Sequence, residues 1–435
     1  MVLSHNDIIC ENPHMKPALP ASATHLGVNL LGLFAGFVAL WLLQSSPLTM
    51  LERTVIVLAA TALPILLADY FIFRRHREPG AELGALREKS DPRRVAIKWL
   101  GLFGVLLLTF LAYVVLPEYN DPFYQSFWPF FTVMSLASLA LAPFYFAWCD
   151  RRQNTPEDGY YHFGRLLLFR VRGTSLVEVR RFLRNWLVKA FFLPIMFAFT
   201  TRAMEALYRL PLEQGMDWRM VFFFSQQMIM LADLLFSVIG YVLTLRFFGA
   251  QIRSSEPTFF GWVVAVICYP PFWTLLFFTH YFSYEDGQEW HQILPTGTVQ
   301  MLWGSTILLL LGIYTLATIC LGIRFSNLTY RGIITSGPYR YTKHPAYVAK
   351  NLSWWLISMP FIAESGGWAA FTHSLMLVGI NMLYYFRART EENHLSNYPE
   401  YVAYAEAMNT RSIFAPLTRV LPFLRYRVPQ TLPKI

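Results

Sequence analysis

Long apolar blocks alternate with short polar loops along almost the whole chain. Mostly apolar stretches lie near 26–44, 54–73, 99–116, 126–148, 186–204, 220–245, 258–281 and 297–323. Two more, near 346–363 and 367–386, are separated by only Glu364, Ser365 and Gly366. A helix that crosses a bilayer needs roughly 20 mostly apolar residues. The pattern therefore predicts an all-α polytopic membrane protein with about ten transmembrane helices. The last two spans are expected to form a tight helical hairpin. Beyond it, Pro399 to Met408 reads as a short amphipathic helix on the cytosolic side.

Composition narrows the class. Of 435 residues, 55% are hydrophobic and 14% are charged, against about 25% charged in soluble domains. Disorder, a collagen repeat and a secreted disulfide scaffold are excluded. Cys10, Cys149, Cys268 and Cys320 show no paired spacing, which argues against a structural zinc site or a disulfide framework. The net charge of +9 is read as orientation rather than as nucleic-acid binding. Arg and Lys crowd the loops 74–98 and 150–184, whereas 117–125 (Glu118, Asp121) and 282–296 (Glu285, Asp286, Glu289) hold no Lys or Arg. Short basic loops stay inside, so both termini are expected to be cytoplasmic, in a bacterial inner membrane or endoplasmic reticulum. The first 25 residues lack a basic region leading into a short apolar core, so a cleaved signal peptide is not expected. The division expected is a tail over 1–25, a membrane region of about seven spans over 26–296, a C-terminal membrane domain over 297–415, and a tail over 416–435.

Several familiar chemistries are absent. No GxG, GxxxxGK, HExxH or GxSxG occurs, and no two histidines lie within five residues of each other. This removes the glycine loops of soluble nucleotide binders, the P-loop and closely spaced histidine boxes. What remains is concentrated in 324–415. Gly337-Pro338 punctuates a turn, and Pro345 suits the first turn of the ninth span. There His344, Tyr347 and Asn351 fall on one helical face, and the helix start offers unpaired N–H groups for an anion. Arg387, Glu391, His394 and Tyr398 likewise share a face continuing out of the tenth span. The short hairpin returns both halves to one side of the membrane, where acid, base and aromatic groups meet.

These residues resemble a known family. The run Gly337-Pro338-Tyr339-Arg340-Tyr341-Thr342-Lys343-His344-Pro345-Ala346-Tyr347, the hairpin, then Arg387 with Glu391-Glu392 and Leu395 look like the isoprenylcysteine carboxyl methyltransferases and related membrane phospholipid methyltransferases. The resemblance covers about residues 300–415. It implies a methyltransferase using S-adenosylmethionine in a cytosolic pocket, with a lipophilic acceptor entering from the lipid bilayer. Carried over by position, it implies cofactor contacts at Tyr339, Tyr341, His344, Pro345, Tyr347, Glu391 and His394. It implies catalytic roles for Arg387, Glu391 and Glu392. No metal site is expected. Lys343 stands where the family usually has Arg, and Ala349 where it often has Gly. A carboxylate acceptor would be oriented by Arg387; an amine acceptor would need a base among Glu391, Glu392 and His394.

Other readings compete. A sterol-reductase-type membrane enzyme using NADPH is related in its His-Pro-x-Tyr segment, but Ala346 and Ala349-Lys350 differ from that family's usual Asn and Gly-Asp. A transporter or lipid-binding scaffold would use Asp233 and Lys189 as its polar core; an ionisable group at that depth is costly, and the two are candidates to pair. Tyr398, Tyr401 and Tyr404 read as an interfacial aromatic belt. Gly32 and Gly36 form a GxxxG packing motif.

Overall fold

Polar caps and prolines set where the helices begin and end. In the computed structural model, which describes residues 19–87, 89–210, 217–277, 283–285 and 289–430, the α-helices run α1 Leu26–Leu42, α2 Met50–Leu67, α3 Pro92–Val115, α4 Phe127–Asp150, α5 Gly159–Leu167, α6 Leu176–Tyr208, α7 Trp218–Val242 and α8 Phe259–Val266. They continue with α9 Phe272–Phe277, α10 Trp290–Ile293, α11 Thr298–Leu321, α12 Pro345–Ser358, α13 Gly367–Leu395, α14 Pro399–Arg411 and α15 Ala415–Val420. Thr49 and Glu52 form a capping box on α2. Asp91 accepts from the Arg93 and Arg94 amides at the start of α3, with Pro92 at the first helical position. Ser175, Asp217 and Thr258 cap α6, α7 and α8. Among the described residues the strands are two short ones, β1 Ser254–Ser255 and β2 Thr329–Tyr330, paired antiparallel.

The all-α membrane architecture holds, with two expected spans built differently. Among the described residues, seven helices are long and apolar enough to cross a membrane, and the 17-residue α1 is a shorter apolar helix. The stretch 258–281 is not one span. It divides into α8 and α9, because Pro270 and Pro271 lack the N–H groups a continuous helix requires; residues 278–281 lie outside the described ones. The first arm of the hairpin stops at Ser358, just before Met359 and Pro360. Its 14 residues reach only about 21 Å, short of the ~30 Å apolar thickness. α13 runs on for 29 residues, and α14 is the expected amphipathic helix, burying Tyr401, Tyr404, Ala405, Ala407 and Met408.

α6 and α7 form the centre of the bundle. Of the apolar window of α6, 61% is buried, against 17% for α4, whose outer face is left for lipid. Phe192 and Phe197 of α6 meet Leu231, Leu235 and Phe236 of α7 and Val57 of α2, all inaccessible. Gly32 and Gly36 press α1 onto α2, where a Cβ would strike the Thr61 carbonyl or hydroxyl, as the GxxxG reading expects.

The two basic loops meet at one end of the bundle. Gly84 and Arg87 donate backbone bonds to Arg152 and Arg151, and Arg94 Nε lies 2.5 Å from Asp150 Oδ1. Arg246 NH1 joins Glu82 at 2.7 Å, and Arg324 NH2 approaches Glu78 at 3.9 Å. The segment that leads into α12 therefore shares the basic end, while the acidic loop 117–125 lies at the far end of α3. Asp286 and Cys10 lie outside the described residues; the other three cysteines are free and buried. Residues 20–24 of the N-terminal tail lie against the same segment, with Thr335 Oγ1 bonding the Pro20 carbonyl and Thr24 Oγ1 that of Cys320.

Candidate active site

The site begins with a backbone constraint. Gly337 has φ +58°, and a Cβ there would collide with Cys320 Sγ, so only glycine makes this turn. A 3₁₀ turn over Gly337–Arg340 follows, and Pro345 opens α12 with His344 at its N-cap. The turn is fixed from outside by Tyr404, whose hydroxyl donates to the Tyr339 carbonyl at 2.7 Å. Upstream, the buried Arg331 guanidinium donates to the carbonyls of Gly240, Leu243, Phe325 and Ala250. It thereby fills carbonyls left open at the end of α7 and clamps the segment to the N-terminal bundle.

Between these elements lies a cavity of about 190 Å³ lined by Tyr339, His344, Pro345, Tyr347, Arg387, Glu391 and His394, among others. Most of the expected cofactor residues thus surround one space. On α12 the lining face is His344, Tyr347 and Lys350; Asn351 is not part of it. His344 stacks on Tyr347, with centroids 5.4 Å apart and planes within 4°. Tyr347 donates to Glu391 Oε2 at 2.8 Å. Arg387 donates to Asn327 Oδ1 at 2.6 Å, and its guanidinium lies 5.2 Å from the centre of the Tyr347 ring and 5.6 Å from that of Tyr269.

Two expected residues are elsewhere. Glu392 faces away from the cavity, and its buried carboxylate is held by Lys343 Nζ at 2.5 Å, Arg389 NH1 at 2.5 Å and His344 Nε2 at 3.1 Å. Adjacent residues on a helix point about 100° apart, and here that step turns Glu392 to Lys343 and Arg389 while Glu391 lines the cavity. Burial pulls the Lys343 ammonium below its ordinary range, with Glu392 acting in the opposite direction. Tyr341 is 59% exposed and borders a separate apolar groove shared with α1. It does not reach the cavity because the 3₁₀ turn directs it outward.

The structure adds residues to the lining that the sequence reading had set aside or not weighed. Tyr401 and Tyr404 are buried in it rather than placed in a belt. Tyr398 instead stacks on Tyr330, with centroids 3.8 Å apart. Lys350 reaches the cavity, where its Nζ lies over ring faces, 5.0 Å from Trp354, 5.5 Å from Tyr314 and 5.8 Å from Tyr384, and interacts at longer range with the Asp233 carboxylate. Its mid-helix position in an apolar stretch was the available signal. Tyr269 and Glu256 come from before residue 297, and nothing local in the sequence marked them. The expected Asp233–Lys189 pair is absent: Asp233 accepts from Tyr314 at 2.9 Å and Thr318 at 2.6 Å, while Lys189 donates to Thr244 at 2.5 Å.

A membrane helical bundle with a polar cavity at the basic end of a C-terminal hairpin defines the class. Within it, residues 298–397 match the model of the isoprenylcysteine carboxyl methyltransferase (ICMT) family. No curated protein and no solved structure matches the chain. The match supports a membrane methyltransferase type of domain, coincides with the C-terminal resemblance, and leaves the first 297 residues outside it.

Proposed function

We propose that the protein is an integral membrane methyltransferase that uses S-adenosylmethionine at its cytosolic face to methylate a lipid or lipidated acceptor, isoprenylcysteine-like in kind. The observation that carries this reading is the convergence of Arg387, Glu391, His344 and Tyr347 from both arms of the hairpin on one cavity inside the family-matching stretch. The lining suits a zwitterionic sulfonium. Glu391 keeps Oε1 uncommitted, Lys350 and Arg387 offer positive charge, and tyrosine faces attract a cation. The cavity is smaller than the roughly 300–1,000 Å³ usual for such ligands, so binding displaces side chains of the wall.

S-adenosylmethionine supplies a methyl group already activated on sulfur, which leaves positioning and exclusion of water to the protein. Arg387, steadied by Asn327 and the Tyr347 and Tyr269 rings, is placed to orient an anionic acceptor. Tyr347 fixes Glu391 against the same wall. Positive charge in the loops on the site's side supports a cytoplasmic position for that side and for both termini.

Purified protein titrated separately with S-adenosylmethionine and NADPH tests the reading. Binding of the first and not the second is expected; NADPH binding would turn the assignment to a reductase, and binding of neither to a scaffold. Glu391→Gln is expected to weaken S-adenosylmethionine binding about tenfold, and unchanged affinity would remove Glu391 from the pocket. Lipid profiling with labelled methyl donor then identifies the acceptor.

A further inference from the structure

Glu256 belongs to the region outside the family match, yet it lines the cavity. The β1–β2 pairing brings it there: Glu256 N donates to the Leu328 carbonyl at 2.7 Å, and Trp262 Nε1 donates to the Glu256 carbonyl at 2.9 Å. Gly261 leaves room for the side chain, since a Cβ at that position would collide with the Glu256 carboxyl. The residue is only 2% exposed.

The two carboxylate oxygens differ. Oε1 accepts from Thr258 N at 3.0 Å and Thr258 Oγ1 at 2.5 Å. Oε2 accepts no hydrogen bond among the described residues; its nearest charged or titratable neighbour is His394 Nδ1 at 3.9 Å, beyond hydrogen-bond reach. The imidazole is oriented from behind, because Tyr398 donates to Ser254 Oγ at 2.7 Å and Ser254 lies 2.8 Å from His394 Nε2. With the Ser254 proton directed at Nε2, the Nδ1–H side turns toward Glu256. Arg184, the nearby cation, is engaged with Ser255 Oγ at 2.9 Å.

A purely structural role uses one oxygen and leaves Oε2 as an acceptor with no donor among the described residues. Glu391, the other carboxylate of the cavity, adds repulsion; burial first, and then Glu391, push the Glu256 carboxyl above its ordinary range. A cation bearing N–H groups between the two walls relieves both. The sulfonium of the proposed donor has no N–H and is served by ring faces, whereas its ammonium has three donors in need of acceptors.

We propose that Glu256 Oε2 receives the α-ammonium of the methyl donor, so that the N-terminal region completes a cofactor site whose remaining walls come from the C-terminal domain. This rests on the methyltransferase reading. His394, Ser254 and Tyr398 are positioning residues behind it.

The test uses the full chain in lipid nanodiscs, wild type and Glu256→Gln, with S-adenosylhomocysteine and methylthioadenosine as probes. The first carries the amino-acid moiety and the second lacks it, while both lack the sulfonium. Gln retains an oxygen for Thr258 and removes the charge. Affinity for S-adenosylhomocysteine is expected to fall about tenfold to a hundredfold, with methylthioadenosine binding unchanged, which also reports an intact cavity. Unchanged S-adenosylhomocysteine affinity overturns the proposal. Equal weakening of both ligands overturns it too, because Glu256 then holds the wall rather than the ammonium. Wild-type protein that binds neither overturns the methyltransferase reading itself, and this inference with it.

Discussion

The interior of the N-terminal bundle and the cavity beside α12 and α13 both bury charged residues, and they treat them differently. In the bundle, Asp233 is satisfied at both oxygens by Tyr314 and Thr318, and Lys189 by Thr244. Around the cavity, Glu256 Oε2 accepts no hydrogen bond among the described residues, and the half-buried Lys350 Nζ meets ring faces, with Asp233 as a longer-range charged neighbour. Burying a polar group without a partner is costly. A satisfied group is explained by the fold alone; an unsatisfied one facing a cavity calls for a ligand. The difference also separates neighbours. Glu392 is closed off by Lys343, His344 and Arg389, while Glu391, whose side chain is 44% exposed, keeps one oxygen without a hydrogen bond among the described residues.

The largest effect that sharpens this division concerns Glu392. Replacing it with Ala strands buried positive charge, a change that costs about 3–5 kcal/mol for a fully buried pair. Arg389 is 30% exposed, so screening by solvent moves the expectation toward the lower end, about 3 kcal/mol. Unfolding measurements on Glu392→Ala should show that loss, with near-normal ligand affinity in the protein that remains folded. Unchanged stability with lost binding would transfer Glu392 to the ligand's side of the division.

The sequence made the membrane class, the hairpin and part of the lining legible, for physical reasons. Apolar blocks of this length report the bilayer directly, and residues three and four apart on a helix report a shared face. His344 and Tyr347 were found that way, as were Arg387, Glu391 and His394. Three kinds of fact were not legible. The direction of Tyr341 depends on a 3₁₀ turn, and that of Glu392 on which cations lie nearby. The division of 258–281 depends on two prolines that hydropathy averages away. Glu256 and Tyr269 reach the site through a two-residue strand pairing across 74 to 76 positions of sequence, a contact no local pattern encodes. Arg331 is hidden for the same reason, since its carbonyl partners lie on α7 and in the segments after it.

Lys350 is the next point at which the comparison breaks or sharpens. If its ammonium serves a ligand rather than the fold, Lys350→Met should change stability by no more than about 1 kcal/mol, because the half-buried ammonium makes no salt bridge among the described residues and interacts with the Asp233 carboxylate only at longer range. Affinity for a carboxylate-bearing donor or acceptor should fall about tenfold, read as a dissociation constant or a raised KM. A strong loss of stability would show that Lys350 is held through the Trp354, Tyr314 and Tyr384 rings as part of the packing.

The smallest expected effect is the most discriminating for the family resemblance. Position alone assigns Tyr341 a cofactor contact, whereas the turn directs it to the groove beside α1, 59% exposed. Its backbone carbonyl accepts from Ile413 N at 3.0 Å, a bond that survives truncation of the side chain. Tyr341→Ala should therefore change S-adenosylmethionine affinity by less than about twofold, and stability by no more than the roughly 0.5 kcal/mol typical of surface positions. Tyr339→Ala, on the same turn but lining the cavity, should weaken binding clearly. If Tyr341→Ala instead proves the more damaging of the two, the turn reorganises when ligand binds, and the motif, rather than the observed side-chain direction, identifies the contact.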